Sequence, residues 1–551
     1  MPDNNENPAP VVNDEENDTP AVNGSNQSPK WTIMFFFASD NALSPLLISQ
    51  VRAIKDAGFE QNTQILAYFD SNERGVPTRV YNMNRFRRLN SDGNSIGDGR
   101  DPFIHHIGED DVFQKFNFSG KAAAVLKDMV DHPTAKSSTA ARALQVFLDF
   151  CREEFKADRY MLILVGHGMI VGNDRFLPDE SPDSAITLVQ LGEIIRQGFT
   201  DLLTNNATLE LLALHSCSMS GVEVAYQLKG TAKRMMATQG ISFVGSWPYR
   251  QLMKKTFNAI DRGSVDVPDL CKSIFQLSNH NGSDFMSAGY SSDICLCDLS
   301  EGVLDQLAAD IARLATILKE YLTGEYGKDF TPVTDSILLS HWKSQSYWQE
   351  EYTDLFDFCA CLEKRCTDEG LTTLRKACQA IKEQISANIQ STHFGSKYQY
   401  SHGLSIFFPW CAPVEDETEH VIQNYEKYGF TIDFKESDQS WLSFLRVYWE
   451  CTKRKSREEE DGIDTSKLKE FKDSGFVNPV GSLSGDPNKT SGATGPGDKT
   501  SGASGVGCSC PSIKNYPTEV FEVQGKPLTA KKLSISGQIL DFLDVEINPE
   551  A

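Results

Sequence analysis

The chain has 551 residues, of which 40% are hydrophobic, so it is long enough for two folded units with large cores. Its formal net charge of -23 disfavours a nucleic-acid or anionic-membrane surface, because phosphate binding requires clustered Lys and Arg. The first 30 residues lack the pattern of a secretory signal, and no stretch has the roughly 18 apolar residues of a membrane span. Thirteen cysteines, an odd number, suit free thiols in a reducing compartment. We therefore predict a cytoplasmic protein with no nucleic-acid partner and no membrane insertion.

The predicted elements begin after a polar, acidic tail, residues 1–30, which has too few large apolar side chains to order itself. Residues 31–38 and 63–70 are apolar runs of strand length, and residues 43–59 between them repeat apolar side chains at helical spacing. This strand, helix, strand order predicts a right-handed crossover and a parallel sheet. Residues 71–134 are polar with no sustained period, which indicates a surface loop or a small hairpin.

Two later strands each end in a reactive residue. A helix predicted at 138–155 leads into the strand at 160–168, which contains His167, and the strand at 209–217 ends at Cys217. In a parallel sheet both side chains lie at the carboxyl-terminal edge, where open α/β sheets bind their ligands. A lone Cys is usually a small buried hydrophobe and a lone His a satisfied polar residue. Together they suit a cysteine hydrolase, because a thiolate attacks a carbonyl and an imidazole protonates the departing amine.

The segments around Cys217 carry further expectations. Thr187 and Gln190 have the spacing of a capping box that opens a helix before the second of these strands. A helix predicted at 219–228 would follow Cys217 directly, so that its N-terminal amides favour the thiolate. Residues 172–184 are polar and contain proline, which predicts an exposed and cleavable loop.

From residue 302 onward the pattern is mainly helical, with amphipathic stretches at 302–323, 351–365 and 370–389 and a returning strand at 403–409. A later charged run and Gly/Ser-rich near-repeat predict a flexible linker. The fold class is therefore α/β, a mostly parallel sheet flanked by helices with a helical C-terminal region packed on it. The predicted segments are a disordered tail at 1–30, a catalytic domain at 31–300, a mainly helical region at 301–451, a linker at 452–510 and a small β-containing segment at 511–551.

Five motifs, in this order, resemble the clostripain family of cysteine peptidases. They are the first strand's end at 38–40, Leu-Val-Gly-His-Gly at 164–168, the Cys-x-Met run at 217–228, Gly-Ser-Trp-Pro-Tyr at 245–249 and Gly-Leu-Ser-Ile-Phe-Phe-Pro at 403–409. Their spacing is more specific than any one motif, and the likeness covers roughly residues 31–450. It implies a caspase-like fold and a peptidase that acts on a protein or peptide substrate. It further implies His167 as the catalytic histidine, Cys217 as the nucleophile, and the backbone N–H groups of Gly168 and Cys217 as the oxyanion hole.

The specificity pocket departs from the family pattern. Relatives commonly carry an Asp two residues before the catalytic Cys that selects Arg or Lys, whereas this chain has His215. A second acid is replaced by Gly245 or Ser246, beside Trp247. A pocket without carboxylates cannot offset the desolvation of a guanidinium or ammonium group, which puts basic specificity in doubt. Because alternate strand residues share a face, we expect His215 to point to the side of Cys217, and we expect a neutral, apolar or acidic residue before the scissile bond.

Processing and cofactors follow from the resemblance rather than from the residues themselves. Relatives are cut during maturation at a place similar to the 172–184 segment, whose only basic residue is Arg175. Because basic specificity is in doubt, we expect the segment to stay uncut at Arg175. The residues predict no cofactor, although the resemblance leaves calcium open. Cys295 and Cys297, like the other close cysteine pairs, lack the Cys-x-x-Cys spacing of a zinc site. The oligomeric state is left open.

Two other functions fit part of the pattern. A catalytically silent caspase-like scaffold would bind a partner protein through the same fold. Sensitivity of a peptidase activity to thiol alkylation separates the enzyme from this scaffold. A nucleotide-binding doubly wound domain is disfavoured, because no Gly-rich phosphate loop follows residues 31–38.

Overall fold

The protein is described by a computed structural model, and its described parts exclude the tail at 1–30 and most of the chain after residue 460. The described residues are 31–57, 60, 62–72, 76–83, 87–89, 95–97, 120–203, 208–261, 266–287, 290–323, 332–348, 350–366, 371–412, 415–434, 439–460, 522–523 and 526–527. The predicted disordered tail, most of the predicted linker and most of the predicted C-terminal segment therefore lie outside them.

An eight-stranded sheet forms the centre of the molecule. Its five inner strands are parallel, and the three others pair antiparallel at the two sides. In order across the sheet, the strands are Ile389–Phe394, Ser292–Asp298, Arg234–Ala237, Thr208–His215, Arg159–Val165, Trp31–Phe37, Thr63–Phe69 and Arg79–Asn82. The predicted mostly parallel α/β fold is thus confirmed. Hereafter Arg159–Val165 is the His strand and Thr208–His215 the Cys strand.

Both faces of the sheet are covered, which explains why its inner strands read as continuous apolar runs. Ile33, Phe35 and Phe37 of the first strand belong to one apolar core, and Met34 and Phe36 belong to the other. Residues of helices Ser44–Lys55, Tyr249–Asp261 and Val267–Ser287 complete the first core. The second core includes residues of helices Lys121–Asp131, Ala140–Glu154, Leu188–Leu203, Val222–Gln227, Glu301–Thr323, Pro332–Lys343, Leu355–Arg365, Thr372–Asn388, Glu415–Tyr425, Gly429–Ile432 and Trp441–Glu460. None of the helices in the described part is long and apolar enough to cross a membrane.

The C-terminal region packs on the second core and carries a small sheet of its own. Its three antiparallel strands are Ser346–Tyr347, Tyr352–Asp354 and Ser405–Phe407. The last of these lies within the returning strand predicted at 403–409, and an isolated parallel bridge joins Ser405 to Gly221. The helix predicted from 351 begins at Leu355 instead, because Tyr352–Asp354 is a strand and the Asp354 side chain caps the helix.

Several predicted local elements differ from those in the structure, and one is confirmed. The segment at 71–134 contains a sheet strand, a two-stranded hairpin and the helix Lys121–Asp131. This helix was not predicted, although its buried residues Ala122, Ala123, Leu126, Met129 and Val130 recur at helical spacing. The helix Trp441–Glu460 runs past residue 452, where the linker was expected to begin. The capping box is confirmed, since Thr187 N–H donates to Gln190 Oε1 at 3.0 Å and Gln190 N–H donates to Thr187 Oγ1 at 3.1 Å.

Candidate active site

The structure brings His167 and Cys217 to the same edge of the sheet. The His strand and the Cys strand are parallel neighbours in which Val165 pairs with His215. His167 and Cys217 each follow two residues later, so both leave the sheet at the same level. Gly168 lies so close to Cys217 that a Cβ atom added to it would be 1.8 Å from the carbonyl oxygen of Cys217. The backbones that carry the two reactive side chains are therefore in direct contact.

The thiol of Cys217 lies in a tight turn with 6% of the residue exposed. The Ser242 N–H donates to Cys217 Sγ at 3.3 Å, and the thiol approaches the Ser242 carbonyl oxygen at 3.6 Å. Ser218 has a φ of 55°, a left-handed conformation that costs energy for a residue other than glycine. The helix begins only at Val222, so the expectation that helix N-terminal amides hold the thiolate is wrong. Ser242 N–H supplies a donor in their place.

His167 is buried at the end of the His strand, with 2% exposure. Burial lowers the pKa of His167 to about 4, so its imidazole is neutral at neutral pH. The Leu177 N–H donates to the His167 carbonyl oxygen at 3.2 Å, which ties the residue to the following hairpin. A neutral imidazole beside a thiol is suited to accept the thiol proton.

Side chains of the C-terminal region fix the loop that follows His167. The Gly172 N–H donates to the Tyr428 hydroxyl at 2.9 Å, and Asn424 Nδ2 donates to the Gly172 carbonyl oxygen at 2.9 Å. Tyr428 also donates to Asp174 Oδ1 at 2.6 Å. Sequence reasoning missed these residues, because partners about 250 positions away leave no local pattern. The helical C-terminal region thus helps to position the sheet edge that carries His167.

The segment predicted as an exposed loop at 172–184 is largely a β-hairpin, and that expectation is wrong. Strands Phe176–Glu180 and Asp183–Ile186 pair antiparallel, and most of the first strand is buried. Arg175, the only basic residue of this segment, forms an ion pair with Asp183 at 2.7 Å. Polar residues here are buried by packing on neighbouring elements, which composition alone does not reveal. Cleavage after Arg175 would require the hairpin to open.

The three predicted pocket residues, His215, Ser246 and Trp247, lie together. His215 is 3% exposed and stacks on Trp247, with ring centroids 4.4 Å apart and an interplanar angle of 3°. Its Nε2 lies 2.8 Å from the Phe243 carbonyl oxygen, and its Nδ1 lies 2.7 Å from the Tyr249 hydroxyl. Because a carbonyl only accepts, Nε2 carries the proton and Nδ1 accepts from Tyr249. Burial lowers the pKa of His215 to about 4, so the ring is neutral.

Comparison with known proteins assigns the chain to a family. The model of the clostripain family matches residues 35–449, most of the chain. The chain belongs to the clostripain family. The clostripain of Hathewaya histolytica is 24% identical to it over 241 residues, which are 40% of this chain. The match spans 41% of that relative, less than half of its length.

The solved structures to which this chain is similar include two C11 proteases. An inactive zymogen C11 protease from Parabacteroides distasonis is 17% identical, with a TM-score of 0.46 over 74% of this chain and 99% of its own. A secreted C11 cysteine protease from Bacteroides thetaiotaomicron, in complex with an irreversible peptide inhibitor, is 14% identical. Its TM-score is 0.47 over 75% of this chain and 99% of its own.

Three acidic residues lie near this edge and bear on calcium, which the clostripain likeness left open. Asp40, Asp70 and Asp179 cluster beside the hairpin, where Ser181 N–H donates to Asp40 at 2.8 Å and to Asp179 at 3.0 Å. Burial raises the pKa of Asp70 to about 7, and burial and the neighbouring Asp40 raise the pKa of Asp179. Within the described residues, no group of three or more His, Cys, Asp or Glu side chains could hold a metal ion.

Proposed function

We propose that this chain is a cysteine endopeptidase that hydrolyses peptide bonds in a protein or peptide substrate. The observation that carries the proposal is the contact of Gly168 with the backbone of Cys217, which places an imidazole and a thiol at one sheet edge. Membership of the clostripain family supports the same chemistry. The residues at this edge can perform it with water as the only co-reactant.

In the proposed reaction His167 accepts the proton of Cys217 while the sulfur attacks the carbonyl carbon of the scissile bond. The carbonyl oxygen becomes an oxyanion, to which the N–H groups of Gly168 and Cys217 donate. Such preorganised donors typically stabilise a transition state by about 3 kcal/mol each. His167 then gives its proton to the departing amine, and a thioester to Cys217 remains. A water molecule, deprotonated by His167, hydrolyses the thioester and restores the thiol.

The proposed specificity follows from the neutral cluster of His215, Ser246 and Trp247. None of these side chains carries a carboxylate, and both ring nitrogens of His215 are engaged by protein groups. A substrate guanidinium or ammonium group entering here would lose its water without gaining an ionic partner. We therefore propose that the residue before the scissile bond is neutral.

Peptide-library cleavage profiling tests the proposal and its specificity together. Wild type is compared with Cys217→Ala, with His167→Ala and with the double variant, each shown to be folded by its thermal unfolding curve. We expect cleavage by wild type only, after neutral residues, and equal losses in the single and double variants, because the two residues act as a unit. Cleavage retained by Cys217→Ala would refute the assignment, and a folded wild type that cleaves nothing would favour the scaffold alternative.

A further inference from the structure

One short segment, residues 238–242, holds the turn that carries Cys217. It follows the strand Arg234–Ala237, the neighbour of the Cys strand. Hydrogen bonds join the segment to this turn at both ends. At the first end, Thr238 Oγ1 donates to the Ser216 carbonyl oxygen at 3.1 Å, and the Ser220 N–H donates to the Thr238 carbonyl oxygen at 2.9 Å. Further along, the Ser218 N–H donates to the Gly240 carbonyl oxygen at 2.9 Å, and the Ser242 N–H donates to Cys217 Sγ at 3.3 Å. The position of the sulfur and of its N–H donor thus depends on where this segment lies.

Asp293 fixes the segment from the opposite side. It belongs to the antiparallel strand Ser292–Asp298, is 3% exposed, and accepts hydrogen bonds from two successive backbone amides. The Gln239 N–H donates to Asp293 Oδ2 at 2.6 Å, and the Gly240 N–H donates to Asp293 Oδ1 at 2.9 Å. A carboxylate that accepts two backbone N–H groups through both oxygens restrains the peptide between them. Gly240 then passes this restraint to the residue after Cys217.

The side chain of Gln239 anchors the segment to the C-terminal region as well. Gln239 Nε2 donates to Asp354 Oδ2 at 3.0 Å, and the Gly403 N–H donates to Gln239 Oε1 at 2.8 Å. Asp354 in turn accepts from the His402 N–H at 2.7 Å. The buried network therefore runs from the backbone of the partly exposed His402 to the turn that carries Cys217.

We propose that Asp293 is a positioning residue for the thiol of Cys217, which it acts on through the 238–242 segment. The inference rests on the proposed peptidase function, because the thiol matters only if it reacts. Asp293 lies behind the segment, and its carboxylate reaches the thiol through two peptide units and the Ser242 N–H. Tyr398, whose hydroxyl accepts from the Ile241 N–H at 3.3 Å, bounds the segment on another side.

The titratable groups around the segment set the sign of the expected effect. Around the segment and the turn of Cys217 they are His167, His215, Cys295, Tyr398, Asp293 and Asp354. Burial raises the pKa of Asp293 to about 7, so its carboxyl is ionised in the alkaline range in which a thiol titrates. Of these groups, Asp293 binds the segment's backbone through two amides. Replacing Asp293 by Asn removes one acceptor and points an NH2 group at a backbone N–H, so the segment is released. The thiolate then loses the Ser242 donor, and the pKa of Cys217 rises. A purely electrostatic role for the Asp293 charge would have the opposite sign, because removing a nearby negative charge lowers that pKa.

The test is the pH dependence of Cys217 alkylation by iodoacetamide, followed by mass spectrometry of the peptide that contains Cys217. We expect Asp293→Asn to move the midpoint upward by about one pH unit, the effect of losing one hydrogen bond to a charged group. Thr238→Val removes one side-chain bond to the turn without altering a charge, and it should give a smaller upward shift. Asp310→Asn, a change at another buried aspartate on the helix Glu301–Thr323, is the matched control and should leave the midpoint unchanged.

Every outcome of this experiment either supports or overturns the proposed role of Asp293. An unchanged or lowered midpoint in a folded Asp293→Asn protein would overturn it, even if the unfolding temperature fell. If Asp293→Asn does not fold, Asp293→Glu decides, because it keeps the charge and displaces both acceptor oxygens, and an unchanged midpoint there would equally overturn the inference. Alkylation needs no peptide substrate, so the failure of the proposed peptidase function would appear separately, as a wild type whose Cys217 is alkylated but which cleaves no peptide.

Discussion

Gly168 and Cys217 are in backbone contact across two neighbouring strand ends. A Cβ atom on Gly168 would lie 2.8 Å from the Cys217 nitrogen and closer still to its carbonyl oxygen, distances that real Cβ atoms do not show. Only glycine therefore permits this approach at residue 168. The contact sets the spacing between the loop of His167 and the turn of Cys217, and it brings the two proposed oxyanion donors side by side.

Gly168→Ala is accordingly expected to abolish most activity. The methyl group must push the two strand ends apart, and a misplacement of about 1 Å at a catalytic site can lower a rate about 100-fold. The measurement is kcat/KM on a reporter peptide, with the unfolding temperature of each variant. Gly302→Ala is the control, because nothing lies within 4 Å of an added Cβ there and the residue lies in a helix, so stability should not fall. Wild-type activity in Gly168→Ala would contradict the proposed geometry.

The acid limb of the activity profile should report His167. Its base form accepts the thiol proton, so activity is lost as pH falls through the pKa of His167. Because burial lowers that pKa to about 4, kcat/KM should persist well below the ordinary value of 6.5. Profiles are recorded only where circular dichroism shows the protein folded. A limb centred at 6.5 or higher would show that His167 is solvated or ion-paired in the working enzyme.

Stability should depend on pH through the buried carboxyl of Asp70. Its pKa is raised from the ordinary 3.8 to about 7, so the folded state holds a proton that the unfolded state has released in this window. Wild type should therefore lose stability relative to Asp70→Asn as pH rises from about 4 to 7, by up to a few kcal/mol. Asn can still accept from Thr78 Oγ1, which lies 3.0 Å from Asp70 Oδ1. The measurement is the thermal unfolding of wild type and of Asp70→Asn across this pH range.

Asp56→Asn serves as the control for that series, because Asp56 is an exposed residue at the end of the helix Ser44–Lys55. Its stability curve should run parallel to that of wild type. A constant difference between wild type and Asp70→Asn at all pH values would mean that Asp70 is ionised in the folded protein throughout.

Replacement of His215 tests the proposed specificity, because the direction of the expected change in substrate preference is known. His215→Asp puts a carboxylate where the chain now has a neutral ring, and a carboxylate facing a substrate cation forms a charge-assisted pair. We expect the ratio of kcat/KM for matched Arg and Leu reporter peptides to rise about tenfold or more, although repulsion from the Phe243 carbonyl oxygen should lower the unfolding temperature. His215→Asn, which stays neutral, should not change the ratio. Strong preference for Arg in wild type would show that a carboxylate elsewhere lines the pocket.

The sequence predicted the sheet edge that carries His167 and Cys217, because the strands there are buried on both faces and form uninterrupted apolar runs. Such runs end where the sheet ends, so His167 and Cys217 could be placed without any tertiary information. The surroundings of these residues were less predictable. The engagement of both nitrogens of His215 depends on Tyr249 and on a backbone carbonyl, neither of which the alternation of a strand reveals.

Long-range polar contacts account for the remaining differences. The hairpin after His167 has a polar sequence typical of a loop, yet Tyr428 and Asn424 bind the start of this segment from the C-terminal region. Asp293 and Gln239 likewise carry no motif, and their role follows only from the amides they contact. Hydrogen bonds between residues far apart in the chain leave no periodic signal for sequence analysis to detect.

The central claim is that Cys217 is the nucleophile and that His167 activates it. The most direct measurement is mass spectrometry after reaction with a peptide that bears a thiol-reactive electrophile behind a neutral residue. Wild type should gain one adduct, located on Cys217, and lose its peptidase activity in proportion. Cys217→Ala should gain none, and His167→Ala should react far more slowly. An adduct on another cysteine that removes activity, or full activity in a protein labelled at Cys217, would contradict the account.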